Sequence, residues 1–231
     1  MRWIEEFRSQ VGPAELSVQR SDDRDLSRSL GFRLPEDYLE WASEYESLEI
    51  CGELIVWNWC STRRVPITTE IASSMLAGIE LGSDSPEGRR DVLDRQGTSI
   101  GPKPWIPAIP GPGGLFPWGT DANGTLYLWD ARETDPNNWS VLTYNRIWRE
   151  FNCGFVEFLV RLLRSEFRNS PMFVREWPWI PAIRELESDN EGVVEWHTPN
   201  RWREYFEAFS EIEEDMDFDW EDFSWADRFR S

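Results

Sequence analysis

Gly114-Leu115-Phe116-Pro117-Trp118-Gly119-Thr120-Asp121-Ala122-Asn123-Gly124-Thr125-Leu126-Tyr127-Leu128-Trp129-Asp130 carries the most informative local pattern in this chain. Leu115 to Trp118 is a short apolar strand and Thr125 to Trp129 a second, with Leu126 and Leu128 on one face and Tyr127 and Trp129 on the other. Gly119 to Gly124 between them supplies turn residues, so the segment reads as a β-hairpin. Glycine lacks a Cβ and asparagine tolerates the left-handed region, so Asn123-Gly124 is the pair at which the turn is expected to close.

Outward from the hairpin, the chain alternates helices and strands. Trp3, Ile4, Phe7 and Val11 recur at helical spacing, and a polar stretch from Ser17 to Arg28 follows. Pro35 opens a helix where a missing N–H is harmless, and Glu36 and Asp37 suit the positive end of its dipole. The apolar stripe of that helix is read through Tyr38, Trp41, Ala42, Tyr45 and Leu48. Leu54 to Trp59 reads as a buried strand and Pro66 to Leu81 as a helix, while Gly82 to Pro104, without sustained period, reads as a long loop. Trp105 to Ile109 and Trp139 to Tyr144 are further strands. Phe155, Phe158, Leu159, Leu162 and Leu163 form the cleanest helical stripe in the chain, between Gly154 and Phe167. Helices before and after a run of strands argue for α+β, with a sheet covered on one face. Beyond Ser170 the character changes: Gly192 to Trp196 reads as an edge strand and Pro199 to Phe209 as a helix. Pro-Trp-Ile-Pro-Ala-Ile occurs at Pro104 to Ile109 and again at Pro178 to Ile183, but unmatched flanks argue against an internal repeat.

The motif pieces of this chain, taken in order, resemble the SUKH superfamily of Smi/Knr-like domains. The matching residues are Leu34-Pro35-Glu36-Asp37-Tyr38, Phe116-Pro117-Trp118-Gly119 with Asp121 and Asn123-Gly124, Trp129-Asp130, Trp139-Ser140-Val141-Leu142, and Gly154 to Leu159. The resemblance spans roughly residues 30 to 168. It implies an antiparallel or mixed sheet of five to six strands covered by helices, as residues 1–169, followed by a C-terminal extension over 170–231. It also implies a non-catalytic immunity protein that binds and neutralises a bacterial toxin. Leu34, Pro35, Pro117, Trp118, Gly119, Asp121, Asn123, Gly124, Trp129 and Asp130 are its motif residues and are read as mainly structural.

Composition bounds the chemistry. The 231 residues include 43 acidic against 24 basic side chains, a formal net charge of −19. Such a surface repels phosphate backbones and anionic headgroups, so nucleic acid and membranes are excluded as partners and a basic protein is the natural complement. Fifteen tryptophans concentrate the apolar content in large rings, each worth about 4 to 6 kcal/mol when fully buried, so most are expected in the core. No apolar run reaches membrane-spanning length and the first residues lack the order of a signal peptide, which places the protein in the cytoplasm. Cys51, Cys60 and Cys153 show no paired spacing and read as reduced thiols.

Catalytic constellations are not apparent, and no cofactor or metal is expected. His197, the only histidine, has no surrounding relay motif, and no cysteine pair offers zinc-ligand spacing. Gly111-Pro112-Gly113-Gly114 holds a proline where a phosphate cradle needs N–H donors. Asp121, Asn123 and Asp130 admit a cation site, but turn chemistry is the preferred reading. Tyr127 and Trp129 could equally form a binding platform or pack under a helix. Acidic residues beside tryptophans also describe carbohydrate-binding or glycoside-processing proteins, and a regulatory scaffold of the Smi/Knr type is a third reading. The segment best suited to a basic partner is the acidic-aromatic tail, with Glu213, Glu214, Asp215, Asp217, Asp219, Trp220, Glu221 and Asp222, which could imitate the phosphates and bases of a nucleic-acid strand. A solvated charge run is the plainer account of the same residues.

Overall fold

The computed structural model describes residues 3–19, 23–62, 69–80, 89–164, 166–167, 183–188 and 194–197. Along the chain these form α1 (Trp3–Val11), α2 (Asp23–Leu30), α3 (Glu36–Ala42), β1 (Leu48–Ile50), β2 (Leu54–Val56), α4 (Thr69–Glu80), β3 (Arg89–Leu93) and β4 (Ser99–Pro104). Then follow β5 (Leu115–Asp121), β6 (Leu126–Asp130), a 3-10 turn at Pro136–Asn138, β7 (Val141–Asn145), β8 (Ile147–Phe151), α5 (Phe155–Leu163), β9 (Ile183–Ser188) and β10 (Val194–His197). The strands form one sheet in the order β10-β9-β1-β2-β5-β6-β7-β8-β3-β4. All neighbours are antiparallel except β3 and β8, which run parallel, so the α+β fold has a mixed sheet.

Ten strands correct the expectation of five to six. The additional strands lie where sequence pattern is weak. β3 and β4 arise inside the stretch read as a loop, joined by a turn in which the Asp94 carboxylate accepts the N–H groups of Gln96 and Thr98. β4 stands at the sheet edge, where Pro102 and Pro104 leave no ladder donor missing. The expected strand at Trp105 to Ile109 is irregular, because Pro104, Pro107 and Pro110 remove donors at every third position. β9 pairs with β1, so residues 183–188 and 194–197 belong to the same sheet as the amino-terminal part of the chain. The edge strand expected at Gly192 to Trp196 is β10. The helical reading from Pro199 lies outside the described residues, as does all of the second Pro-Trp-Ile-Pro-Ala-Ile copy except Ile183.

The sheet is also covered on both faces rather than one. Ile4, Phe7, Tyr38, Trp41, Phe155, Phe158 and Leu159 from α1, α3 and α5 pack with Tyr127 and Trp129 on one side. Leu76 and Ile79 of α4 pack with Leu115, Leu128, Leu142 and Trp148 on the other. Strand β5, between the two layers, is buried along its whole length. Pro117 is tolerated in so central a strand because the β5–β6 register shifts beside it, leaving Trp118 as an inserted residue. Gly119 then lets β2 approach, since a Cβ there would lie 2.7 Å from the carbonyl oxygen of Ile55.

Candidate functional site

The hairpin residues resolve into structure. Asp121 Oδ1 accepts the N–H groups of Asn123 and Thr125, both at 2.9 Å, and Oδ2 accepts the Tyr127 hydroxyl at 3.2 Å. Burial pushes the Asp121 carboxyl above its ordinary range, against the pull of these hydrogen bonds. Only Gly124 takes a left-handed conformation, at φ 75°, so the turn does not close on a left-handed Asn123-Gly124 pair. It is organised by the Asp121 side chain with a single glycine at its end. Asp130 lies at the opposite end of the hairpin, paired with Arg132 at 2.6 Å, so Asp121 and Asp130 share no site. Tyr127 and Trp129 are fully buried against Phe158 and Phe155. Pro117 contributes its carbonyl to the Trp59 indole N–H at 3.0 Å, Trp118 packs edge-on to Phe155 and Phe158, and Leu34 is core.

Other singled-out side chains find local partners. His197 Nε2 lies 3.0 Å from Glu15 Oε2. Cys51 and Cys60 are buried, and burial raises the half-buried Cys153 thiol to about 12. Among the described residues, Glu185 is a further buried carboxylate: its Oε2 accepts the N–H groups of Glu15 and Leu16 at 2.7 and 2.9 Å, while its buried Oε1 has no hydrogen-bond partner there. Glu46 is also buried and accepts the Gln19 N–H at 3.2 Å, so this cluster ties the segment after α1 to the sheet. The tail residues Glu213, Glu214, Asp215, Asp217, Asp219, Trp220, Glu221 and Asp222 lie outside the described residues.

One concave feature gathers motif residues that are distant in sequence. A groove of about 550 Å³ is bounded by the start of α3 (Pro35, Glu36, Asp37, Glu40), by Pro136 and Asn137 of the 3-10 turn, by Trp129 and Trp139, and by Gly154 and Phe155 at the start of α5. Local chemistry positions each wall. Pro35 is the N-cap of α3, with an extended ψ of 142°. Asp135 caps the 3-10 turn by accepting the Asn137 N–H at 3.0 Å, and Asn137 Oδ1 in turn accepts the Glu36 N–H at 2.8 Å. Gly154 offers no side chain to cap α5, and Asp37 does so instead, its Oδ2 accepting the Val156 N–H at 3.1 Å. Burial raises the Asp37 carboxyl, and the hydrogen bonds from Val156, Tyr38 and Phe155 oppose that rise.

This arrangement has a defined electrostatic sense. Asp37 places its carboxylate at the α5 N-terminus and takes the Val156 N–H, which opposes an incoming anion there. None of the lining residues is basic, and Glu36 is exposed at the rim. Trp129 is fully buried and Trp139 is only 5 % exposed, so neither offers the open ring face on which a sugar stacks. The groove therefore suits a cationic group. Pro35, Glu36, Asp37, Trp129, Trp139, Gly154 and Phe155 are motif pieces far apart in the sequence, and only the fold makes them neighbours and brings Glu40, Pro136 and Asn137 beside them. The turn signal Asp135-Pro136-Asn137 was the one available clue to the latter.

No protein-family model, curated protein or solved structure matches this chain. Among the described residues, no helix is long and apolar enough to cross a membrane.

Proposed function

We propose that this chain is a SUKH-type immunity protein, non-catalytic and cytoplasmic, that binds and neutralises a basic bacterial toxin, either a nuclease or a nucleic-acid deaminase. The observation that supports this reading is the convergence of its motif pieces. Leu34-Pro35-Glu36-Asp37, Trp129, Trp139 and Gly154-Phe155 are scattered over more than a hundred residues, yet all but Leu34 line one acidic groove. A net charge of −19 adds long-range attraction for a basic partner. Rapid capture matters for an inhibitor that must act before the toxin does, and electrostatic steering supplies it.

The test is co-expression with the basic enzyme module that ends a neighbouring toxin reading frame. Growth should be restored and a stoichiometric complex should be recovered from the same cells. Absence of both, with the toxin shown to be active, overturns the proposal and favours the scaffold reading.

A further inference from the structure

We infer that the groove between α3, the 3-10 turn and α5 receives an arginine side chain from a loop of the basic partner. The inference rests on the immunity reading for the partner's nature and on the groove's own chemistry for the side chain. The half-buried Pro136 gives the groove an accessible apolar wall for a side-chain stem, and the rim is acidic where Glu36 stands exposed. Long basic side chains bury their methylene stems on such walls and keep the charge at the polar edge. Glu40 lies one helical turn beyond Glu36, on the same side of α3, and keeps that flank of the groove acidic.

Guanidinium fits this rim better than ammonium. Its planar fork can engage carboxylate oxygens through two parallel hydrogen bonds and is less strongly hydrated than a lysine head. The cavity, at about 550 Å³, lies inside the range of roughly 300 to 1,000 Å³ found for ligand sites, which leaves room for the backbone that carries the arginine. Anions are disfavoured because Asp37 holds the nearest helix terminus. Glu36 is not part of the α5 cap: its main-chain N–H, and not its carboxylate, donates to Asn137 Oδ1, so the carboxylate can be altered without breaking that contact.

The experiment uses the full-length protein labelled with nitrogen-15 and titrated with acetyl-Gly-Arg-Gly-amide, its lysine counterpart and its citrulline counterpart. The arginine peptide should shift the amides of Glu36, Asn137 and Gly154 and the Trp139 indole N–H. It should bind about threefold or more tighter than the lysine peptide, and citrulline, which lacks the charge, should shift none of these signals. Glu36→Gln should weaken the arginine response about three- to fivefold while the remaining spectrum stays in place. Equal binding of arginine and lysine, shifts scattered over the acidic surface, or a response indifferent to Glu36→Gln would each overturn the inference. The same variant separates the two proposals. A Glu36→Gln protein that protects cells as well as the wild type removes the groove and leaves immunity standing, whereas a wild-type protein that protects against no adjacent toxin removes immunity whatever the peptides do.

Discussion

At Gly154 a methyl group has no room: a Cβ there would lie 2.6 Å from Asp37 Oδ2, the carboxylate that caps α5. Gly154→Ala should therefore displace the cap and cost about 1 to 3 kcal/mol, read as a shifted urea midpoint at constant slope. Asp37→Ala should fall in the same range, and an unchanged midpoint in both would mean that α5 does not depend on this contact. Glu185 supports a different measurement. Burial raises its carboxyl above the ordinary value of about 4.3, so the folded protein keeps a proton that the unfolded chain releases. Its contribution to stability is then complete below the unfolded value and is lost as pH rises through the folded one. Glu49, Asp37 and Asp121 shift in the same direction. The melting temperature should accordingly fall as pH rises above the ordinary carboxylate range. Glu185→Gln should flatten that fall and be at least as stable as the wild type at the alkaline end, while parallel curves for the two proteins would count against the role of this carboxyl.

At the scale of elements, the central hairpin separates what local pattern shows from what it hides. Tyr127 and Trp129 face one core and Leu126 and Leu128 the other, as a period of two requires. The turn was less legible. Asn123-Gly124 invites a left-handed pair, but the buried Asp121 carboxylate satisfies the N–H groups of Asn123 and Thr125, and only Gly124 needs positive φ. Gly124→Ala should cost about 1 kcal/mol, whereas Asn123→Ala should stay within about 0.5 kcal/mol of the wild type, both by denaturant titration. A larger loss at Asn123 would restore the left-handed pair. The helix stripe of α5 was plain because seven of its nine residues are buried and recur at helical spacing. β3 and β4 were not, since an edge strand reading Ser-Ile-Gly-Pro-Lys-Pro has no alternation to detect and owes its conformation to pairing with β3.

Over the whole molecule, charge is the dominant property. With a net charge of −19, association with a basic toxin domain should slow steeply as salt is added, since the Debye length falls from about 10 Å at 0.1 M to about 3 Å at 1 M. Stopped-flow mixing at several ionic strengths measures this, and a rate independent of salt would remove steering from the model. Reversing charge at Glu213, Asp215, Asp217 and Asp219 should lower the same association rate. Unchanged kinetics in that variant would assign recognition to the groove and not to the tail.

The α+β class, the hairpin, the α5 stripe and the acidic balance were determined by the sequence itself, because periodicity, turn chemistry and net charge act over a few residues or over the whole chain. The two-sided sheet, its ten strands and the groove were decided only by tertiary structure. Asp37 meets the start of α5 across 119 positions and the Glu36 N–H meets Asn137 across 101. No local pattern encodes such pairings: the same Glu36-Asp37 dipeptide that serves the dipole of its own helix becomes, through the packing of the sheet layers, the cap of another helix and part of the wall of a groove.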